Sequence, residues 1–151
     1  MAAGPFVLYH VFAEELGKKT LNLSATDVLK VALFTSTHTP SASADVSFSA
    51  LSNQVSGNGY TAGGNTLAYD SSTRWSETSG VATLDADNSV FTAASGDIVA
   101  RYAVLYDSTP ATNNLIGYFL LDDTPADVTA TDGNTLTIEW NASGILTIDV
   151  T

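Results

Sequence analysis

The feature that most limits what this chain can become is the close spacing of its turn-forming clusters. From residue 65 onward, Asp70-Ser71-Ser72, Asp85-Ala86-Asp87-Asn88, Ser95-Gly96-Asp97, Asp107-Ser108-Thr109-Pro110, Asp122-Asp123-Thr124-Pro125 and Asp132-Gly133-Asn134 punctuate the sequence. Asp and Asn close turns on their own backbone, Gly accepts positive φ, and Pro presets φ. Between these clusters lie short β candidates at residues 66–69, 74–75, 80–84, 89–92, 98–106, 115–121, 135–140 and 144–150. Many short strands at this spacing predict a mainly β fold, an antiparallel sandwich or barrel. The last two candidates alternate around Asn141-Ala142-Ser143-Gly144 and predict a β-hairpin.

Upstream of this region stands the strongest strand, Val28-Leu29-Lys30-Val31-Ala32-Leu33-Phe34-Thr35, ended by Thr39-Pro40. Leu29, Val31 and Leu33 alternate with Lys30, Ala32 and Phe34, so at least one face is buried. The N-terminus reads as one α-helix over residues 5–17. Pro5 suits a first turn, and Leu8, Phe12 and Leu16 form a stripe that Val11 widens. Gly17 ends the helix, with Lys18 and Lys19 against its negative pole. The stripe needs cover, either from the domain's own sheet or from a neighbouring subunit.

Residues 41–64 form a long stretch of small residues. Asp45-Val46-Ser47-Phe48 within it reads as a short helix or an edge strand. Gly57, Gly59, Gly63 and Gly64 fall within eight residues, which demands unusual backbone angles or the close approach of another chain. The stretch is expected to become ordered on assembly. No repeat or linker divides the 151 residues, which predicts a single domain with its β region over 28–150.

Charge narrows the function. Sixteen acidic residues face five basic ones, for a net charge of −11. Lys18, Lys19, Lys30, Arg74 and Arg101 are too few and scattered to track a phosphate backbone, so nucleic acid is not an expected partner. An anionic membrane surface is disfavoured for the same reason, and no apolar run reaches the roughly 20 residues of a spanning helix. Charged residues make up only 14% of the chain, against roughly 25% in ordinary soluble domains. The surface must be hydroxyl- and amide-rich, and such a surface is more easily desolvated against a partner than an ionic one. There is no cysteine, which excludes disulfides and thiolate metal sites.

Each candidate for chemistry fails on a specific residue or context. His10 and His38 are the only imidazoles, neither lies in a triad context, and no G-x-S-x-G elbow exists. The carboxylate pairs Asp122-Asp123, Asp85 with Asp87, and Glu14-Glu15 read as turn formers and solubilising charges. Asp85-Ala86-Asp87-Asn88-Ser89-Val90 begins like a calcium loop, but Val90 replaces its turn glycine and Gly96 its bidentate Glu. Gly57-Asn58-Gly59-Tyr60-Thr61-Ala62 matches a dinucleotide-binding pattern without the strand and helix that give that pattern meaning. No enzyme activity, metal or cofactor is expected.

The runs Leu29-Lys30-Val31-Ala32-Leu33-Phe34-Thr35-Ser36 and Asn53-Gln54-Val55-Ser56-Gly57-Asn58-Gly59-Tyr60-Thr61-Ala62-Gly63-Gly64 resemble a widespread group of small tailed-bacteriophage virion proteins. Phe91-Thr92-Ala93, Ala100-Arg101-Tyr102-Ala103-Val104-Leu105-Tyr106-Asp107, Leu115-Ile116-Gly117-Tyr118 and residues 136–146 extend the likeness over nearly the whole chain. Residues 71–79 depart from it, being richer in Ser and Thr. The resemblance implies a structural component of the particle, with no catalytic residues to carry over. The reading that follows is a capsid decoration, or cement, protein on the outer head surface. Its expected partners are the major capsid protein and copies of itself, and a trimer is compatible with the resemblance. Phe6, Leu8, Phe12, Val55, Gly57, Gly59, Tyr60, Gly63 and Gly64 are the expected subunit-contact residues. A tail subunit and a glycan-binding module remain open. For the latter, Tyr60, Tyr69, Trp75 and Trp140 would supply a stacking platform.

Overall fold

A computed structural model describes residues 2–24, 26–69 and 74–150. In chain order the elements are β1 (Val7–Leu8), α1 (His10–Gly17), β2 (Leu29–Phe34), a 3₁₀ turn (Phe48–Ala50), β3 (Asn65–Thr66), β4 (Trp75–Thr78), β5 (Val81–Leu84), β6 (Ser89–Thr92), β7 (Ile98–Ala100), β8 (Tyr102–Asp107), β9 (Asn114–Leu120), β10 (Val128–Ala130), β11 (Thr135–Ile138) and β12 (Leu146–Asp149). The chain is mainly β, with one helix near its N-terminus and several antiparallel sheets in an open, sandwich-like arrangement. The largest sheet runs β1-β9-β8-β2-β3; the others are β10-β7, β11-β6 and β12-β5-β4.

The alternation in β2 shows why this strand sits centrally. Leu29, Val31 and Leu33 point into one cluster with Phe91, Ile98, Leu136, Ile138 and Leu146 from the opposing sheets. Ala32 and Phe34 point the other way, into a second cluster with Tyr9, Val104, Tyr106 and Leu115. Both faces are therefore buried, and each such side chain contributes about 1.5–3 kcal/mol. The cover over the second face comes from the small-residue stretch. Phe48 stacks on Tyr106 with ring centroids 3.7 Å apart and meets Phe34 edge-on, while Leu51 and Val11 close the flanks. These packing contacts lie within the chain.

Three expectations are corrected. The helix begins at His10, not Pro5, because residues 2–8 run along β9 instead: Val7 pairs with Tyr118, Leu8 with Gly117, and the Gly4 N–H donates to the Leu120 carbonyl. Leu8 therefore leaves the stripe and is 41% exposed, while Phe12 fills the core under the helix. The helix does end at Gly17, and the left-handed residue follows at Lys19 (φ 60°). The strand expected over 98–106 is two strands. It bends at Arg101, whose N–H donates to Phe34 and whose carbonyl accepts from Leu121, so the chain passes from the β10-β7 sheet into the large sheet.

The expected terminal hairpin does not form. β11 pairs with β6 and β12 with β5. The turn between them is present, closed by Gly144 N–H to the Asn141 carbonyl, but it carries the chain from one sheet to another. Gly144 (φ +97°) makes this possible, because a Cβ there would lie 2.3 Å from Thr83 Cγ2 and 2.8 Å from the Leu84 carbonyl oxygen. The turn expected at Asp70-Ser71-Ser72 lies outside the described residues.

Candidate subunit-contact surfaces and a cleft

Most of the expected contact residues are engaged inside the subunit. Phe12, Val55 and Tyr60 are buried in the main core cluster, which removes their side chains from any outer surface. Phe6 is half-buried and packs against Phe119, its ring lying where a side chain on Gly117 would have to go. The glycine loop is shaped by this chain's own strands. A Cβ on Gly59 would stand 2.6 Å from the Thr92 carbonyl oxygen, and one on Gly64 would stand 2.0 Å from that of Val31. Gly63 accepts a hydrogen bond from the Tyr106 hydroxyl through its carbonyl. Leu8, Gly57 and Gly59 are exposed, and nothing lies within 4 Å of a Cβ on Gly57.

The sequence pointed at Tyr60 for a contact, and the structure assigns it a different task. β3 pairs with β2 only at Lys30 and Val31, so farther along β2 the backbone needs other partners. The Tyr60 hydroxyl accepts from the Leu33 N–H at 3.0 Å and from Gln54 Nε2 at 2.9 Å, while Val55 N–H donates to the Leu33 carbonyl. Burial of the ring pushes the phenol up to about 12, so the group stays neutral across the physiological range. Tyr60→Phe leaves the buried Leu33 N–H unsatisfied and is expected to lower stability by about 1–3 kcal/mol, read from urea unfolding.

Asp122 and Asp85 of the acid pairs act on their own turns. Asp122 Oδ1 accepts from the N–H and hydroxyl of Thr124, bonds that hold its carboxyl below the usual range, and Asp85 accepts from the adjacent Ala86 N–H. His38 packs on the Phe34 ring with Nε2 3.7 Å from Asp45 Oδ2, and His10 is exposed on α1. Among the described residues, no three His, Asp or Glu side chains converge on a metal-sized site. Among the described residues, no helix is long and apolar enough to cross a membrane either.

Two surfaces not anticipated from the sequence stand out. The first is the outer face of the smaller sheets. Phe91, Leu136 and Ile138 point into the core, as do Ile98, Ala100 and Ala130. By strand alternation Val90, Thr92, Thr135 and Thr137 face outward on β6 and β11, and Val99 and Thr129 do so on β7 and β10. Val90 opposes Thr137, Thr92 opposes Thr135, and Val99 opposes Thr129. A shallow groove between β10 and β11 links the two pairs of strands. None of these six side chains carries a charge, and Val90 is 48% exposed.

The second is an open cleft of about 560 Å³ between the N-terminal strand and the turn that joins β11 to β12. Phe6, Phe119, Trp140 and Leu146 supply its apolar wall, with Phe119 and Trp140 meeting edge-on at 5.8 Å. The four aromatics of the expected platform do not converge. Tyr60 is buried, Tyr69 is covered by the Arg74 guanidinium 4.4 Å above its ring, Trp75 packs on the core, and Trp140 alone lines the cleft. Comparison with protein-family models, with curated proteins and with solved structures finds no match to this chain.

Proposed function

We propose that this protein is a structural subunit of a tailed-phage particle, a decoration protein on the outer head surface that contacts the major capsid protein and copies of itself. The tailed-phage assignment rests on the sequence resemblance. The observation that carries a packing role is the uncharged Val/Thr face on a chain of net charge −11.

Electrostatics favours that face for contacts between copies. Of the five basic residues, Arg74 is buried, Lys18 pairs with Glu14 and Glu15, and Arg101 pairs with Asp127. Few cations remain to offset acids across an interface, so two copies can approach closely only where both surfaces are neutral. Hydroxyls and valines meet there at small desolvation cost. The six side chains form a patch smaller than the ~800 Å² per partner of a stable complex, so contacts are expected to be weak in solution and reinforced by a lattice.

Sedimentation of the purified chain should show association at high micromolar concentration. Val90→Glu with Val99→Glu should weaken it more than tenfold while leaving the melting temperature nearly unchanged. A wild-type chain that stays monomeric at those concentrations counts against the face. Location is a separate test: cryo-microscopy and mass spectrometry of particles should find the protein on the head in hundreds of copies. Density in the tail alone, at tens to about two hundred copies, would replace the decoration reading with a tail subunit.

A further inference from the structure

We propose that the cleft beside Trp140 binds a neutral saccharide, a ligand site that goes beyond the packing role. Its volume of about 560 Å³ falls in the range of small-ligand clefts. The class of ligand follows from the lining. Among the described residues, the only ionisable side chain lining it is the Glu139 carboxylate, and no Lys or Arg does so. Together with the chain's net charge of −11, this disfavours phosphates, nucleotides and acidic sugars.

A wholly apolar ligand fits poorly as well. Exposed Glu139, Asn141 and Ser143 supply its polar rim, and such a ligand would strip water from them without replacing its hydrogen bonds. The apolar part of the lining is the hydrocarbon surface of Phe6, Phe119, Trp140 and Leu146. A pyranose ring has this same division, with a C–H face that packs on aromatic carbon and hydroxyls around its edge that pair with carboxylate, amide and hydroxyl groups. The rim is also held in place. Asn141 Oδ1 accepts from the Ser143 backbone N–H at 2.8 Å, and the Trp140 backbone N–H donates to Asn88 Oδ1 at 3.2 Å.

The chain has two tryptophans, so Trp75→Phe leaves Trp140 as the sole indole reporter. That variant would be screened against an array of neutral oligosaccharides and the hits titrated by fluorescence. A saturable change with a Kd of about a millimolar or tighter is expected. Glu139→Ala and Ser143→Ala, both at exposed positions, should each weaken binding about three- to tenfold with no loss of melting temperature. Trp140→Ala is avoided because the ring supports Phe119. Absence of any hit, or binding indifferent to both rim variants, overturns the proposal. Saturation of the signal by extended apolar peptides and not by sugars overturns it too, and assigns the cleft to a partner strand.

Discussion

Gly64→Ala is expected to destabilise the chain by about 2–5 kcal/mol, the largest effect of any single glycine substitution in the loop. Two costs add. Gly64 has φ +76°, a region that costs an L-residue roughly 1–2 kcal/mol. The new methyl would also stand 2.0 Å from the Val31 carbonyl oxygen and 2.6 Å from Ala32 Cα. Both are backbone atoms of the central strand, which cannot yield without disturbing its pairing to β8, so overpacking adds about 1–3 kcal/mol. Gly57→Ala is the matched control. Its φ is +72°, but nothing lies within 4 Å of a Cβ there, so only the conformational cost of about 1–2 kcal/mol applies. Urea unfolding of the two variants separates the effects. Equal losses would mean that close approach to β2 is not what requires glycine at position 64.

The second large effect is expected at Asp107. This carboxylate is fully buried at the end of β8. It accepts from the Thr109 N–H at 2.9 Å and from the Asn22 N–H at 3.4 Å, and shares a carboxyl–carboxyl hydrogen bond with Asp27. The buried Arg74 guanidinium lies in the same cluster, donating to the Asp27 carbonyl at 2.7 Å. Asp107→Ala removes the acceptor of the Thr109 N–H and a counter-charge of Arg74, at a cost of about 3–5 kcal/mol.

Burial, with the Asp27 hydrogen bond second to it, raises the Asp107 pKa above its unfolded value. The folded state therefore holds this proton more tightly than the unfolded chain does. The associated stability is fully present below the ordinary carboxyl range and is lost as pH rises through the raised folded value. Asp107→Asn keeps one acceptor oxygen and cannot ionise, so it should flatten that part of the stability-versus-pH curve. An unchanged slope in the Asn variant would show that Asp107 does not govern it.

How much of this was legible varies by element. β2 was readable because Leu29 to Phe34 is an apolar run broken only by Lys30, and a central strand buries whatever it presents. The turn clusters were readable because Asp, Asn, Gly and Pro act on their own backbone. The helix start was not, since Leu8 has the right spacing for a helical stripe and only the open edge of β9 draws residues 7–8 into a strand. The inward packing of Phe12, Val55 and Tyr60 was hidden for a related reason. A glycine-rich loop states that something comes close, but not whether the neighbour is another subunit or, as here, Val31 and Thr92 of the same chain. The neutral face could not be seen as a patch, because its residues come from strands as far apart in sequence as β6 and β11.

By itself the sequence determined a mainly β chain with an N-terminal helix, a strongly acidic and sparsely charged surface, and the absence of cysteine chemistry. These follow from composition and from periodicities that act over a few residues. Only the tertiary structure decided which strands pair, that β11 and β12 part into different sheets, and that Tyr60 faces inward to serve Leu33. Those outcomes depend on hydrogen-bonding groups distant in sequence finding partners. Phe12, Val55 and Tyr60 therefore lie in the core, while the uncharged sheet face and the cleft beside Trp140 stay open to the outside.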